Sequence, residues 1–458
     1  MKFKSFALTF FSICVATTCG TEAAKAASLS VVADGLNNPR NFDWASDGSI
    51  YLTESGAGGD GNGGANCIPS PSAQYIPLCS GKTGSVVKIT PDGQKQAVLP
   101  NLTSIALVPS GEQAAGPADW KFDSKGNAYF LVGLAGDPNN RDTVLQSPDL
   151  GKLYKVDLST GSLTTLADFA QYEAKNNPDG TDLISNPYAF TIKGDTAYVV
   201  DGGGNSIYSV DLNGGGIKNV AALPEKPISP NKLQFPTLPE GITDPTGGAE
   251  PPPGYTIAPN GLPVSNQSVP TGITVAPDGS LTVSEYTYFP YPENEARIFK
   301  VDPDTLQTQV LADGFTQLTG VTYDSDGNLY ALQHINQSEW KAIQQGGVIT
   351  GDVSGSITKI GKDGTRETIW SGNGLEAASG LFFGPDGNLY TSNRSRLVAG
   401  ERGGQLVKVD IKSGSTSGGA TKVPEPASVI GLLLATAVGA KAMKRKHQEE
   451  LLAKVETF

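Results

Sequence analysis

Three carboxylates occupy one repeated place in this chain: Glu54 ends the run IYLTE, Asp201 ends TAYVVD and Glu285 ends LTVSE. At the matching places stand Val132, Gln333 and Asn393, so five of the six residues are polar. Just before the apolar pair that opens each copy lie Asn41 and Asp119, where the other copies have Ala189, Gly272, Gly320 and Gly380. Carboxylate and amide oxygens gathered at one mouth suit a polar ligand or a hard cation such as Ca²⁺ or Mg²⁺, with Glu54, Asp201 and Glu285 as metal candidates. The competing expectation at each position is a polar side chain capping loop backbone at a strand end. His334 follows Gln333 and can act as base or ligand, or simply pack a loop. The only other histidine, His447, lies outside the repeats, so a two-histidine mechanism is excluded by count. Tyr286, Tyr288, Phe289 and Tyr291 follow Glu285 and offer an apolar, stacking wall beside the acids.

Those residues converge only if the elements carrying them repeat in space. Six stretches share one hairpin pattern: NPRNFDWASDGSIYLTE (Asn38–Glu54), GPADWKFDSKGNAYFLV (Gly116–Val132), NPYAFTIKGDTAYVVD (Asn186–Asp201), PTGITVAPDGSLTVSE (Pro270–Glu285), LTGVTYDSDGNLYALQ (Leu318–Gln333) and SGLFFGPDGNLYTSN (Ser379–Asn393). Apolar residues alternate before each turn, as in Phe42/Trp44, Trp120/Phe122 and Phe190/Ile192, the spacing a strand needs to bury one face. A second hairpin follows each copy, opening on SVVKIT, KLYKVD, SIYSVD, RIFKVD, SITKIG and QLVKVD. Four strands repeated six times predict an all-β chain, a six-bladed β-propeller. The sixth unit lacks a fourth strand, and LSVVADGL (Leu29–Leu36) has the missing pattern. The N-terminal strand is therefore expected to complete the last blade and close the ring, removing two open sheet edges.

The chain has 458 residues, a net charge of −12, 56 glycines and 31 prolines. The acidic balance argues against nucleic acid as a partner, and the Gly and Pro content fits a turn-rich β protein. Tight turns such as SDG and PDG fall on one face of the disc. The long loops, Ser55–Gly84, Thr103–Ala115, Gly133–Gly151, Ala170–Ser185, Pro224–Val269, Tyr286–Ala296 and His334–Gly355, fall on the other. A functional site is expected on that long-loop face. Pro224–Val269 reads as a lid, a collar or a disordered segment.

The termini read as targeting segments. Residues 1–26 carry Lys2 and Lys4, an apolar run and the small-x-small site Ala24-Lys25-Ala26, a secretory signal. Residues 27–411 are the propeller and 412–422 a linker. Cys67 and Cys79, the pair left after cleavage, are expected to form a disulfide within one loop. Over 423–447 come Val423-Pro-Glu-Pro426, an uncharged run from Ala427 to Ala440, and the basic residues Lys441, Lys444, Arg445 and Lys446; residues 448–458 form a tail. These three parts resemble a PEP-CTERM sorting signal. The resemblance implies export, a short membrane segment and an exosortase as processing partner, in the periplasm, envelope or extracellular space. A permanent membrane anchor is the alternative.

Some signals carry little. GAGGDG (Gly56–Gly61) lacks the helix that a dinucleotide site needs, and DSDGN (Asp324–Asn328) lacks the spacing and closing Glu of a Ca²⁺ loop. The repeated Lys88, Lys155, Lys300, Lys359 and Lys408 read as structural.

LTVSEYTYFPYPENEARIFKVD (Leu281–Asp302) resembles the signature of the ScyD/ScyE family, as do Asn186–Asp211 and GKTGSVVKI (Gly81–Ile89) followed by GPADWKFD (Gly116–Asp123). The resemblance spans about Ser28 to Asp410 and implies an exported, NHL/TolB-like propeller tied to late steps of scytonemin-type pigment assembly. It matches Asp201 and Glu285 as acidic positions, and places Gln333 where members often have Glu. Three functions follow as alternatives: a factor binding or processing an aromatic small molecule, a non-enzymatic envelope or matrix binding propeller, and a Ca²⁺-dependent lactonase-like hydrolase. No nucleophile–base pair is legible, so catalysis stays open.

Overall fold

The computed structural model describes residues 27–72, 76–229, 264–289, 291–339, 352–396 and 403–411. The segments read from sequence as a signal peptide, a linker, a sorting signal with a membrane segment and a tail fall outside these residues. So does 230–263, most of the loop read as a lid or collar. Among the described residues, no helix is long and apolar enough to cross a membrane.

Five four-stranded antiparallel sheets and one of five strands form the six blades of a β-propeller. Blades 1 to 5 begin at inner strands Pro39–Trp44, Pro117–Phe122, Pro187–Lys193, Pro270–Val275 and Leu318–Tyr323. Blade 6 begins at Ser379–Phe383 and ends with the N-terminal strand Ser28–Leu36, which pairs antiparallel with Gly404–Asp410. The closure expected from the sequence is thus the one observed. Blade 1 carries an extra short strand, Cys67–Pro69, on the extended edge of Pro77–Ile89. One helix, Phe169–Asn176, leads from blade 2 into the loop before blade 3, with Asp168 capping it through an N–H bond from Gln171.

Period-two alternation explains the core. The first member of each apolar pair, Phe42, Trp120, Phe190, Ile273, Val321 and Leu381, is buried, and its partner two residues on is half-buried. The buried residues group into six clusters, one in each seam between neighbouring blades. Aromatic contacts cross several seams: Tyr51 stacks on Trp120 at 5.3 Å, and Phe42 meets Phe382 edge-on at 4.8 Å. The last seam holds Leu36 and Leu406 against Phe42 and Leu52. Stability therefore comes from a continuous ring of seams, each needing both of its blades.

The repeated aspartates of the tight turns accept N–H bonds from two residues on, as Asp278 does from Ser280 at 3.0 Å. Asp324 likewise accepts from Asn328, so DSDGN is a hairpin turn. Lys88 pairs with Asp47 at 2.8 Å and Lys300 with Asp278 at 2.5 Å, which gives two of the repeated lysines a structural place on the surface.

Deleting Ser28–Leu36 is expected to open the seam that Leu36 closes and expose the edge of Gly404–Asp410. Leu36 burial alone is worth about 2 kcal/mol, so thermal melting should fall by about 5 °C or more, or the protein should become insoluble. Deleting 448–458 should leave melting unchanged. Equal melting of the two truncations would contradict closure by this strand.

Candidate functional site

Each inner strand holds one residue more than its partner near the long-loop face. The register skips a residue at Ala118, Tyr188, Thr271, Thr319 and Gly380, and within Arg40–Asn41 in blade 1. A bulge of this kind leaves a residue unpaired and re-aims its side chain. Beyond each second strand, the next residue bonds back to the approach of its own inner strand. The N–H groups of Ser55, Gly133, Gly202, Tyr286 and His334 donate to carbonyls of Asn38, Gly116, Asn186, Val269 and Gln317. Those two sets, Arg40, Ala118, Tyr188, Thr271 and Thr319 with Ser55, Gly133, Gly202, Tyr286 and His334, line a cavity of about 200 Å³. Arg396 adds a wall from blade 6, so every blade contributes.

The polar wall is built around Glu339. Its carboxylate is paired with Arg396, accepts the Tyr286 hydroxyl at 2.5 Å, and accepts Gln317 Nε2 at 3.1 Å and Gln113 Nε2 at 3.3 Å. Burial pushes this carboxyl up, but Arg396 and the Tyr286 hydroxyl outweigh it and hold it below the usual range. Burial likewise works against the Arg396 charge, and Glu339 more than restores it. Glu112, 3.7 Å from Arg396, is raised, first by burial and also by Glu339. Burial and the like charge of Arg396 push His334 down to about 4, so its imidazole is neutral at neutral pH. His334 Nδ1 lies 2.8 Å from the Ala378 carbonyl, which can only accept, so Nδ1 carries the proton. Nε2 is then a buried acceptor with no partner among the described residues. The Tyr286 ring lies 5.7 Å from the imidazole.

The residues picked out from sequence are placed differently. Glu54 accepts from the Asn37 N–H at 2.9 Å and is bonded to Ser85 Oγ. Asp201 is buried and accepts from Asn186 N at 2.6 Å, Gly203 N at 2.9 Å and Ser185 Oγ at 2.8 Å. Glu285 is buried under Arg297, accepting from its backbone N at 2.7 Å, Nε at 2.8 Å and Nη2 at 2.6 Å. Gln333 accepts from Thr316 N and Asn393 from Glu376 N, both at 2.7 Å. These five side chains cap the backbone of their own blades. Glu54, Asp201 and Glu285 do not converge, and among the described residues no three His, Cys, Asp or Glu form a group able to hold a metal ion. The carboxylates proposed for Ca²⁺ or Mg²⁺ are already committed to loop N–H groups and to an arginine. Asn41 and Asp119 are struts between blades: Asn41 Nδ2 reaches the Ala118 and Tyr188 carbonyls at 3.2 Å, and Asp119 accepts from Phe190 N at 2.9 Å. Gly380 leaves room for Asn41, whose Oδ1 would lie 2.5 Å from an added Cβ. Phe289 packs edge-on to Tyr291 at 5.9 Å and does not line the cavity. Tyr286 and His334 do.

No family model matches the chain, and no curated protein matches it. Solved structures with a similar course include a candidate gluconolactonase, at 12% identity, covering 85% of this chain and 95% of that one with a TM-score of 0.44. A glucose dehydrogenase has 12% identity, 84% and 99% coverage and a TM-score of 0.44. The virginiamycin B lyase of Staphylococcus aureus has 12% identity, 84% and 99% coverage and a TM-score of 0.40. The propeller assignment itself stands on the strand pairing described above.

The cavity is roofed from blade 1. Cys67 and Cys79 are disulfide-bonded across the paired strands Cys67–Pro69 and Pro77–Ile89, at the base of an excursion whose Ser70, Pro71 and Ser72 line the cavity. The Tyr288 hydroxyl donates to the Pro71 carbonyl at 2.5 Å and the Tyr291 hydroxyl to the Ser72 carbonyl at 3.3 Å. Blade 4 lies opposite blade 1 in a ring of six, so this excursion spans the mouth.

Three outcomes follow from this geometry. Replacing both Cys67 and Cys79 with Ser should move the melting temperature little, because six seams hold the ring, yet weaken retention of a cavity ligand. Loss of folded protein would contradict that division. Glu285→Gln should cost about 3 kcal/mol by leaving the buried Arg297 charge uncompensated, with ligand binding unchanged; normal melting with lost binding would return Glu285 to the site. The third outcome concerns pH. His334 binds its proton near 6.5 when unfolded but near 4 when folded. The unfolded state therefore holds more protons between those values, and stability falls as pH drops from about 6.5 to about 4. The component is on the order of 3 kcal/mol. His334→Gln lacks it, so the wild type should lose stability faster than the variant over that window; parallel melting curves would contradict a buried neutral imidazole.

Proposed function

We propose that this chain is an exported propeller that binds an aromatic small molecule in the mouth cavity and presents it to His334. The observation that carries the reading is the unpartnered Nε2 of a neutral, buried imidazole in the wall of a cavity that also carries Tyr188, Tyr286, Tyr288 and Tyr291. Aromatic rings supply stacking area at low entropic cost, and a few placed polar atoms fix orientation. Nε2 accepts a hydrogen bond from a phenol O–H or an indole N–H, and can take that proton if the bound molecule reacts. The Ala378 carbonyl fixes the tautomer of the ring, which leaves Nε2 as the acceptor.

The same stretch supports a link to the ScyD/ScyE family. Leu281–Asp302, the run that carries that resemblance, contributes Tyr286, Tyr288 and Tyr291 to the cavity. Scytonemin-type pigment assembly, which joins indole–phenol units, is the process we assign on this ground. Export by the N-terminal signal and processing of the Pro-Glu-Pro segment by an exosortase belong to the same proposal, and would place the cavity outside the cytoplasm.

The test is calorimetric titration of the purified protein with indole–phenol monomers, beside Tyr286→Ala and His334→Gln. The wild type should bind in the micromolar range, and each variant should lose about tenfold, the worth of one good contact of about 1.4 kcal/mol. Binding that is unchanged in both variants would overturn the assignment of this cavity.

A further inference from the structure

Arg40 is the second cation of the cavity wall, and its environment differs from that of Arg396. It sits at the bulge of blade 1 and is 8% exposed. Nε donates to Ser55 Oγ at 3.2 Å, Nη1 to the Ser395 carbonyl at 2.7 Å and Nη2 to the Ala114 carbonyl at 2.5 Å. All three acceptors are neutral. Glu339, which lines the cavity, and Glu112, which does not, both pair with Arg396. A guanidinium has five N–H donors, so one remains on each Nη of Arg40. Burial works against its charge, and Arg396 adds repulsion, yet a guanidinium stays protonated at neutral pH. Among the described residues, the cavity wall thus holds a buried positive charge with spare donors and no anion paired with it.

A charge in that state is costly unless something neutralises it. Carbonyl dipoles do part of this. A ligand carboxylate entering the cavity would do the rest, because it matches a planar guanidinium with charge-assisted hydrogen bonds. Another group of the wall has the opposite requirement: His334 Nε2 accepts and lacks a donor among the described residues. Tyr188 and Tyr286 line the same cavity as Arg40.

We infer that the natural ligand is an aromatic acid: its carboxylate is held by Arg40, and a separate phenolic or indolic donor is held by His334 Nε2. This rests on reading the cavity as an aromatic small-molecule site, and adds the charge and the polarity of the two ends. A neutral aromatic should enter the same cavity but bind more weakly.

The experiment compares four probes on the purified protein by calorimetry at neutral pH and low salt: para-hydroxyphenylacetate, its methyl ester, para-methoxyphenylacetate and the methyl ester of that. Loss of the carboxylate charge should weaken binding about tenfold or more, the worth of hydrogen bonds to a charged group. Blocking the hydroxyl should cost about tenfold, and the two losses should be nearly independent. In Arg40→Gln the acid and its ester should bind alike, while the effect of blocking the hydroxyl persists; Arg40→Lys should keep part of the preference for the acid. Should Arg40→Gln fail to fold, the four probes on the wild type still decide. An ester that binds the wild type as tightly as its acid would overturn the inference, making Arg40 a strut between blades, and leave the aromatic site standing. Failure of all four probes to bind at millimolar concentration would overturn the site reading, and this inference with it.

Discussion

The architecture of the mouth depends on one extra residue in each inner strand. Without the bulges, strict alternation would send Arg40, Tyr188, Thr271 and Thr319 into the seams, and the cavity would be lined by the small residues that follow them. In blades 1 to 5 the bulge places one residue on the channel mouth while the next, Asn41, Asp119, Ala189, Gly272 or Gly320, stays in the crowded ring; in blade 6 the skipped residue is Gly380, which does not line the cavity. The close approach there is physical: a Cβ on Gly320 would lie 2.8 Å from Leu381 N. Function and packing are thereby separated by a single position along the strand.

The ring then lets distant loops meet. Arg40 bonds to Ser395 across 355 positions of sequence, and Gln113 bonds to Glu339 across 226. Neither contact is local to a blade, and both require the closed circle. Within that circle the charges divide into two kinds. Those at the strand ends, Glu285 on Arg297 above all, are spent on holding loops. Those facing the cavity are Arg40 and the Glu339–Arg396 pair, beside the neutral His334, and among the described residues His334 Nε2 and Arg396 Nε lack partners. Buried polar groups without partners are costly, and a ligand that satisfies them gains what the free protein gave up.

Much of the fold was legible because it is written in alternation and repetition. The apolar pairs, the turn signals and the missing fourth strand each have a direct physical meaning, and the disulfide followed from two cysteines in one loop. The long-loop face was legible for the same reason, and the cavity opens there. The side chains of the site were legible only in part. Tyr286 and His334 were named, but Glu54, Asp201 and Glu285 drew attention as acids and proved to be caps. A bulge leaves no mark in a two-residue period, so the reading fell one residue short on the second strands and one too far on the inner ones. Arg40 and Tyr188 did leave a trace: they are large residues in a place filled elsewhere by Ala118, Thr271 and Thr319. Glu339 and Arg396 left none, since all their side-chain partners but Gln317 come from other blades.

The account turns on where an aromatic ligand sits. A crystal of this protein soaked with a brominated aromatic acid locates it directly through the anomalous signal of bromine. The account predicts a single strong peak in the mouth cavity, between Tyr188 and Tyr286, with the acid group at Arg40 and a donor at His334 Nε2. A peak among Glu54, Asp201 and Glu285, or an empty cavity beside a ligand bound elsewhere, would contradict it.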